Sequence, residues 1–381
     1  MSILSAQHAQ HAQHAQHAQA AAGFLAGHAP PAALMTQREG IVGLHALSRT
    51  AIPPAEAFGA MGDEGWRFRR LDPTWRAAVI SQELSEGLAV AEDDGSGAGI
   101  VSVGGTPFVA IERPAPEVLR QGLSLVANYA DLRHDRASEI VAQRGDVVSF
   151  VASALPLDGV RTPWTVELLL AAQGMVEGVL QRLKLRLGVP RPALMHPAIQ
   201  PMIATPSHDA YPSGHATQAF LCAEVLRVLV GRADDPSTCG YLDRAAARVA
   251  QNRTVAGLHY PVDSAAGAVL GRQMGRYLLA RLRAALPEDA DLAAVPAVTM
   301  RRFGAHAWLG EDHGDPDTMP ARDFHSGSMD ALWEADGTGP GGQNGAQDDG
   351  ERDERPSIAA AHLTAHLWTA ARAEWHAGSA S

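Results

Sequence analysis

The residues best suited to chemistry fall in three clusters. The first is Lys184 and, after six residues, Arg191-Pro192. The second is Pro212-Ser213-Gly214-His215. The third is Arg253, then His259 after five residues, then Asp263 after three more. Lys184, Arg191 and Arg253 are cations. Ser213 and Gly214 stand where a helix begins, so backbone N–H groups there lack intrahelical acceptors and suit an oxyanion. Arginine adds planar, bidentate donors for such a ligand, and lysine a point charge. Asp263 follows His259 by four residues. From one helical turn its carboxylate can hold one imidazole nitrogen and leave the other free to attack or to ligate. A serine-hydrolase reading is disfavoured, because that chemistry needs an oxyanion hole and one base but not three converging cations. The strand–turn–helix setting of a nucleophile elbow is also missing around Ser213. Taken singly, Lys184 or Arg253 reads as a solvated charge and His215 as a satisfied helix-terminal histidine. The joint spacing carries the information.

The elements that must position these clusters read as helices. Apolar residues recur at helical spacing over 114–132, 162–188, 213–231, 241–257, 261–286 and 358–377. Thr162-Pro163 and Pro261 mark helix starts, and Gly188 and Gly231 mark ends. "GIVSVGGTPFVAIERP" (99–114) reads as a hairpin, two apolar runs around Gly-Gly. The expected architecture is therefore mainly α, a helical bundle with a short N-terminal β-hairpin.

Five segments are expected. Residues 1–22 hold an Ala-Gln-His repeat (His8, His11, His14, His17), read as a disordered low-complexity arm. Residues 23–113 form an N-terminal extension and 114–333 the helical catalytic domain. Residues 334–357 form an acidic Gly-rich linker, and 358–381 an amphipathic helix that either docks on the domain or mediates self-association. A scaffold role for this tail is the reading from a different functional class.

The chain has 381 residues and a formal charge of −11. Seven acids against two arginines between Glu334 and Arg355 account for nearly half of that charge. Nothing here favours a nucleic-acid partner. Two cysteines, Cys222 and Cys239, read as reduced thiols. No apolar run reaches membrane-spanning length and no charged n-region precedes an apolar h-region, so a soluble, cytoplasmic protein with a small-molecule substrate is expected. Homo-oligomerisation stays open.

The three clusters resemble the signature of the type 2 phosphatidic acid phosphatase and vanadium haloperoxidase superfamily: Lys-x6-Arg-Pro, Pro-Ser-Gly-His, and Ser-Arg-x5-His-x3-Asp. All three occur in order over about residues 180–265, with Asn252 where the family usually has Ser. The resemblance implies that Lys184, Arg191, Ser213, Gly214 and Arg253 cradle the oxyanion. It implies that His259 is the phosphate nucleophile or the vanadium ligand, that His215 is the general acid–base, and that Asp263 orients His259. "HDAYPSGHATQ" (208–218) resembles the bromoperoxidase form, in which a further histidine, His208, lies seven residues before the acid–base histidine. That favours a vanadium-dependent haloperoxidase, with vanadate as cofactor and hydrogen peroxide and halide as substrates. The alternative is a cofactor-free acid phosphatase acting through a phosphohistidine. "GLHYPVDSAAG" (257–267) and the gap of 21 residues between Arg191 and Ser213 suit the phosphatases.

Overall fold

The computed structural model describes residues 62–93, 95–286, 290–293, 295, 298–304 and 356–376. The His-repeat arm and all of the acidic linker but Pro356 and Ser357 lie outside the described residues. In chain order the main elements are α1 (Glu64–Arg70), α2 (Pro73–Ser85), β1 (Leu88–Glu92), β2 (Gly99–Val103), β3 (Thr106–Ile111), α3 (Pro116–Asn128), α4 (Arg133–Gln143), α5 (Val147–Ala152), α6 (Pro163–Leu187), α7 (Gly214–Leu229), α8 (Pro236–Val255), α9 (Pro261–Ala285), β4 (Arg301–Phe303) and α10 (His362–His376).

Helix α9 is the axis of the bundle. From Pro261 to Leu282 every residue but Arg276 is buried, so neighbours cover the helix on all sides. Its closest neighbour is α7, and glycine sets that approach. A Cβ on Gly267 would lie 2.5 Å from the Ser213 carbonyl oxygen, and one on Gly275 would lie 2.8 Å from Glu224 Cβ. Gly267, Gly271 and Gly275 recur every four residues, so one stripe of α9 without side chains receives α7, whose first turn carries the Pro-Ser-Gly-His cluster. That stripe is legible in the sequence, although the periodicity of α9 there pointed only to a helix.

The start and stop signals act as expected on α6, with Pro163 in its first turn and Gly188 at its end in the left-handed region (φ 55°). Helix α8 begins at Pro236, one turn earlier than apolar spacing suggested. Asp235 accepts from Ser237 N and Thr238 N, a polar cap that a search for apolar residues does not register. Helices α4 and α5 were not expected. Helix α4 is charged and fully buries only Ile140 and Gln143, so its pattern is weak.

The hairpin is present as β2 and β3, and β1 and β4 extend it to an antiparallel-then-parallel sheet in the order β1-β2-β3-β4. A three-residue strand such as β4 leaves almost no periodic signal. The sheet packs on α6 and α9: Gly99 meets Leu183, and Phe108 stacks on Tyr277 at 5.6 Å. The terminal helix α10 docks on the bundle, burying Leu367 and Trp368. Glu374 accepts from Trp164 N and Thr165 N at 2.8 and 2.9 Å, capping α6. Glu83 of α2 accepts from Leu363 N and Thr364 N, both at 2.9 Å, capping α10.

Candidate active site

The three clusters meet at one end of the bundle. Arg191 follows α6, His208 lies in the loop before α7, Ser213 caps α7, Arg253 ends α8, and His259 and Asp263 flank the start of α9. Asp263 joins the second and third clusters. Its carbonyl oxygen accepts from Ser213 N at 2.8 Å, and its Oδ2 accepts from Tyr260 N at 3.0 Å. The same Oδ2 lies 2.9 Å from His259 Nδ1.

Arg191 joins the first and third. Its Nη1 donates to His259 Nε2 at 2.8 Å and to the Leu258 carbonyl at 3.0 Å, and its Nε donates to the His208 carbonyl at 3.1 Å. Because the guanidinium can only donate, His259 Nε2 holds the lone pair and Nδ1 the proton directed at Asp263. His208 Nδ1 lies 3.2 Å from Arg191 Nη2 and 3.1 Å from the Asp209 carbonyl. Unprotonated it accepts from the guanidinium, and protonated it donates to the carbonyl.

Arg253 is fully buried. Its Nη2 donates to the Ile140 carbonyl and to Gln143 Oε1, while Nε and Nη1 have no partner among the described residues. Two unpaired donors on a buried cation are costly unless a ligand takes them. Ser213 Oγ accepts from Ala216 N, and the N–H groups of Gly214 and His215 have no acceptor within α7. Lys184 is placed differently from a ligand-facing group. Its Nζ donates to the carbonyls of Asp209, Ala210 and Pro212 at 2.9, 2.9 and 2.6 Å, which uses all three ammonium protons on the loop before α7.

Burial and charge set the protonation states. Desolvation, then Arg191 and Lys184, hold the His259 imidazole well below the usual histidine range, so it is neutral. Burial, then Arg253, push His215 down to about 3. It keeps some surface on the cavity, where water screens part of that shift. The His215 Nε2 faces the Gln143 carbonyl at 3.1 Å, which keeps the proton there and leaves Nδ1 as the basic atom. Burial raises Asp263 and lowers Lys184, and each opposes the other's shift.

A cavity of about 250 Å³ opens over this group. Arg191, His208, Gly214, His215, Leu258 and His259 line its catalytic end. Lys184, Ser213, Arg253 and Asp263 stand behind that lining. The rest of the wall includes Arg144, Gln173, Glu177, Gln181 and Gln218. The sequence reading missed these as site residues. Gln173, Glu177 and Gln181 recur every four residues on the otherwise apolar α6, and that spacing was the available signal.

Residues 163–285 match the family model of the PAP2 superfamily. The α6–α9 core is a PAP2 superfamily domain. No curated protein matches the chain. The PAP2 match begins at the first residue of α6 and ends at the last of α9, so it contains every expected site residue. PAP2 membership carries phosphatase or haloperoxidase-type chemistry on a phosphoryl group or related oxyanion. No helix among the described residues is long and apolar enough to cross a membrane.

Proposed function

We propose that the protein is a vanadium-dependent haloperoxidase, oxidising halide with hydrogen peroxide at the Arg191–His259 centre. The observation that carries this reading is His208, a third imidazole in the cavity wall, beside the guanidinium that reaches His259. The cavity size supports it. At about 250 Å³ it is below the ~300–1,000 Å³ usual for drug-sized ligands, which suits an oxyanion with small co-reactants.

The donor set fits vanadate. Arg253 has two buried donors without a partner among the described residues, α7 offers N–H groups with no intrahelical acceptor, and the cations Lys184, Arg191 and Arg253 surround the buried carboxylate of Asp263, with Glu177 further along the cavity wall. His259 Nε2 would hold vanadium, and Arg191, Arg253 and the N–H groups of Gly214 and His215 would hold its oxygens. Bound vanadate supplies a Lewis-acidic centre that makes peroxide electrophilic towards halide.

The chain's own residues do the rest. Asp263 keeps the proton on His259 Nδ1 and so keeps Nε2 available. Arg191 and Arg253 offset negative charge. His215 Nδ1 takes a proton from the incoming peroxide. An imidazole near 3 is a weak base at neutral pH, but a bound anion opposes Arg253 and brings it back towards the operating range. Lys184 acts at a distance, fixing the loop that carries His208.

The test compares what vanadate does. Vanadate-loaded protein given hydrogen peroxide, bromide and an organic acceptor is expected to brominate it, and His259→Ala to abolish the activity. No bromination above the vanadate-free control would sink the reading. Turnover of an aryl phosphate in chelator, inhibited by vanadate, would replace it with a phosphohistidine phosphatase on the same residues.

A further inference from the structure

We propose that Gln143, the last residue of α4, is a positioning residue that couples Arg253, behind the cavity lining, to the proton-handling His215. The proposal rests on reading the site as an oxyanion centre. Gln143 lies outside the three clusters and outside the PAP2 match, and it is fully buried.

Its Oε1 accepts from Arg253 Nη2 at 3.0 Å and from Asn252 Nδ2 at 3.0 Å. Two donors on one atom decide which end of the amide is oxygen. Asn252 is pinned in turn. Its Nδ2 also donates to Glu139 Oε2 at 2.9 Å, and its Oδ1 accepts from Arg136 Nη1 at 3.0 Å. Arg248 grips Glu139 with two bonds of 2.8 Å. The network therefore runs from surface ion pair to Asn252 to Gln143 to Arg253.

The main chain of Gln143 carries the second coupling, because its carbonyl faces His215 Nε2. One residue thus touches the acid–base histidine of the second cluster and the arginine of the third. With Nη2 held, the Nε and Nη1 of Arg253 are left for an anion. With Nε2–H held, His215 keeps its lone pair on Nδ1. The Gln143 Nε2 has no partner among the described residues although it is buried. Packing alone would favour an apolar side chain there, so the amide stands at this position for its oxygen. The charged and titratable groups facing His215 are Arg253, Arg191 and His259, with Arg144, Glu177 and His208 on the same cavity wall.

The test is binding of inorganic vanadate to the full chain, followed by titration calorimetry from acid to neutral pH, with thermal melting as a check on folding. Gln143→Met removes Oε1 at similar length and keeps the carbonyl. Its affinity is expected to fall about 10- to 100-fold with the melting curve still cooperative, as for supporting residues of other ligand sites. Gln143→Glu keeps an acceptor for both donors and adds a negative charge beside Arg253, which should move the acid limb of the binding curve to higher pH. A folded Gln143→Met with wild-type affinity overturns the proposal. If Gln143→Met does not fold, an unshifted acid limb in Gln143→Glu overturns it. A wild-type chain that binds no vanadate overturns the oxyanion reading itself, and this proposal with it.

Discussion

Arg191 Nη1 lies 2.8 Å from His259 Nε2, although 68 positions separate the two residues. The guanidinium covers the lone pair that either candidate reaction needs. An oxyanion that draws the guanidinium to itself releases the imidazole, so binding and activation of His259 are one event. Arg191→Lys keeps the charge but cannot reach the Leu258 carbonyl, the His208 carbonyl and His259 together. Turnover should fall by about 100-fold, the usual result of losing one preorganised donor. A steady-state assay of the variant checks this.

Proton uptake on anion binding is expected at His215. The free imidazole sits near 3 because of burial and Arg253, and an anion beside Arg253 raises it. Between that value and the ordinary histidine range, the bound state holds more protons than the free state. Vanadate titrations in buffers of different ionisation enthalpy should therefore show uptake on the acid side of neutrality. His215→Asn should abolish it.

The same depressed values make the fold acid-sensitive. The native His215 and His259 resist protonation, whereas the unfolded imidazoles take protons once pH falls below about 6.5. They contribute stability above that pH and lose it as pH falls towards their folded values. Asp263, raised by burial, acts with the opposite sign and offsets part of the loss. Urea melts should show stability falling on acidification, with a shallower slope in His215→Asn.

Lys184→Met separates a loop-holding lysine from one that only contacts ligand. Removing the ammonium leaves the Asp209, Ala210 and Pro212 carbonyls without their donor. Stranding these acceptors is expected to cost more than about 3 kcal/mol by urea unfolding. A variant of wild-type stability that has lost only anion affinity would contradict this.

The terminal helix is part of the bundle. Glu374→Ala uncaps α6 and should lower stability by about 1–2 kcal/mol in thermal melts. Removing residues 356–381 should cost more, because it uncovers the apolar surfaces under Leu367 and Trp368. A truncation that melts like the full chain would point instead to the self-association reading of this helix.

Local chemistry made much of this legible before any coordinates. Pro163 and Gly188 bound α6, Ser213 opens α7 and Pro261 opens α9, because caps and proline act within one turn. The residues of the three clusters were readable because each sits at a helix end at fixed spacing from a neighbour. What was not legible was distance across the bundle. Nothing near Lys184 in the chain says that its protons go to carbonyls 25, 26 and 28 residues away. Nothing near Gln143 says that its amide meets Arg253. The sequence determined which groups could bind an anion, since residue type and local turn chemistry are properties of short segments. Only the tertiary structure decided which of those groups face the cavity and which hold the others in place, because that depends on how α9 receives α7 and on where each buried donor finds its acceptor.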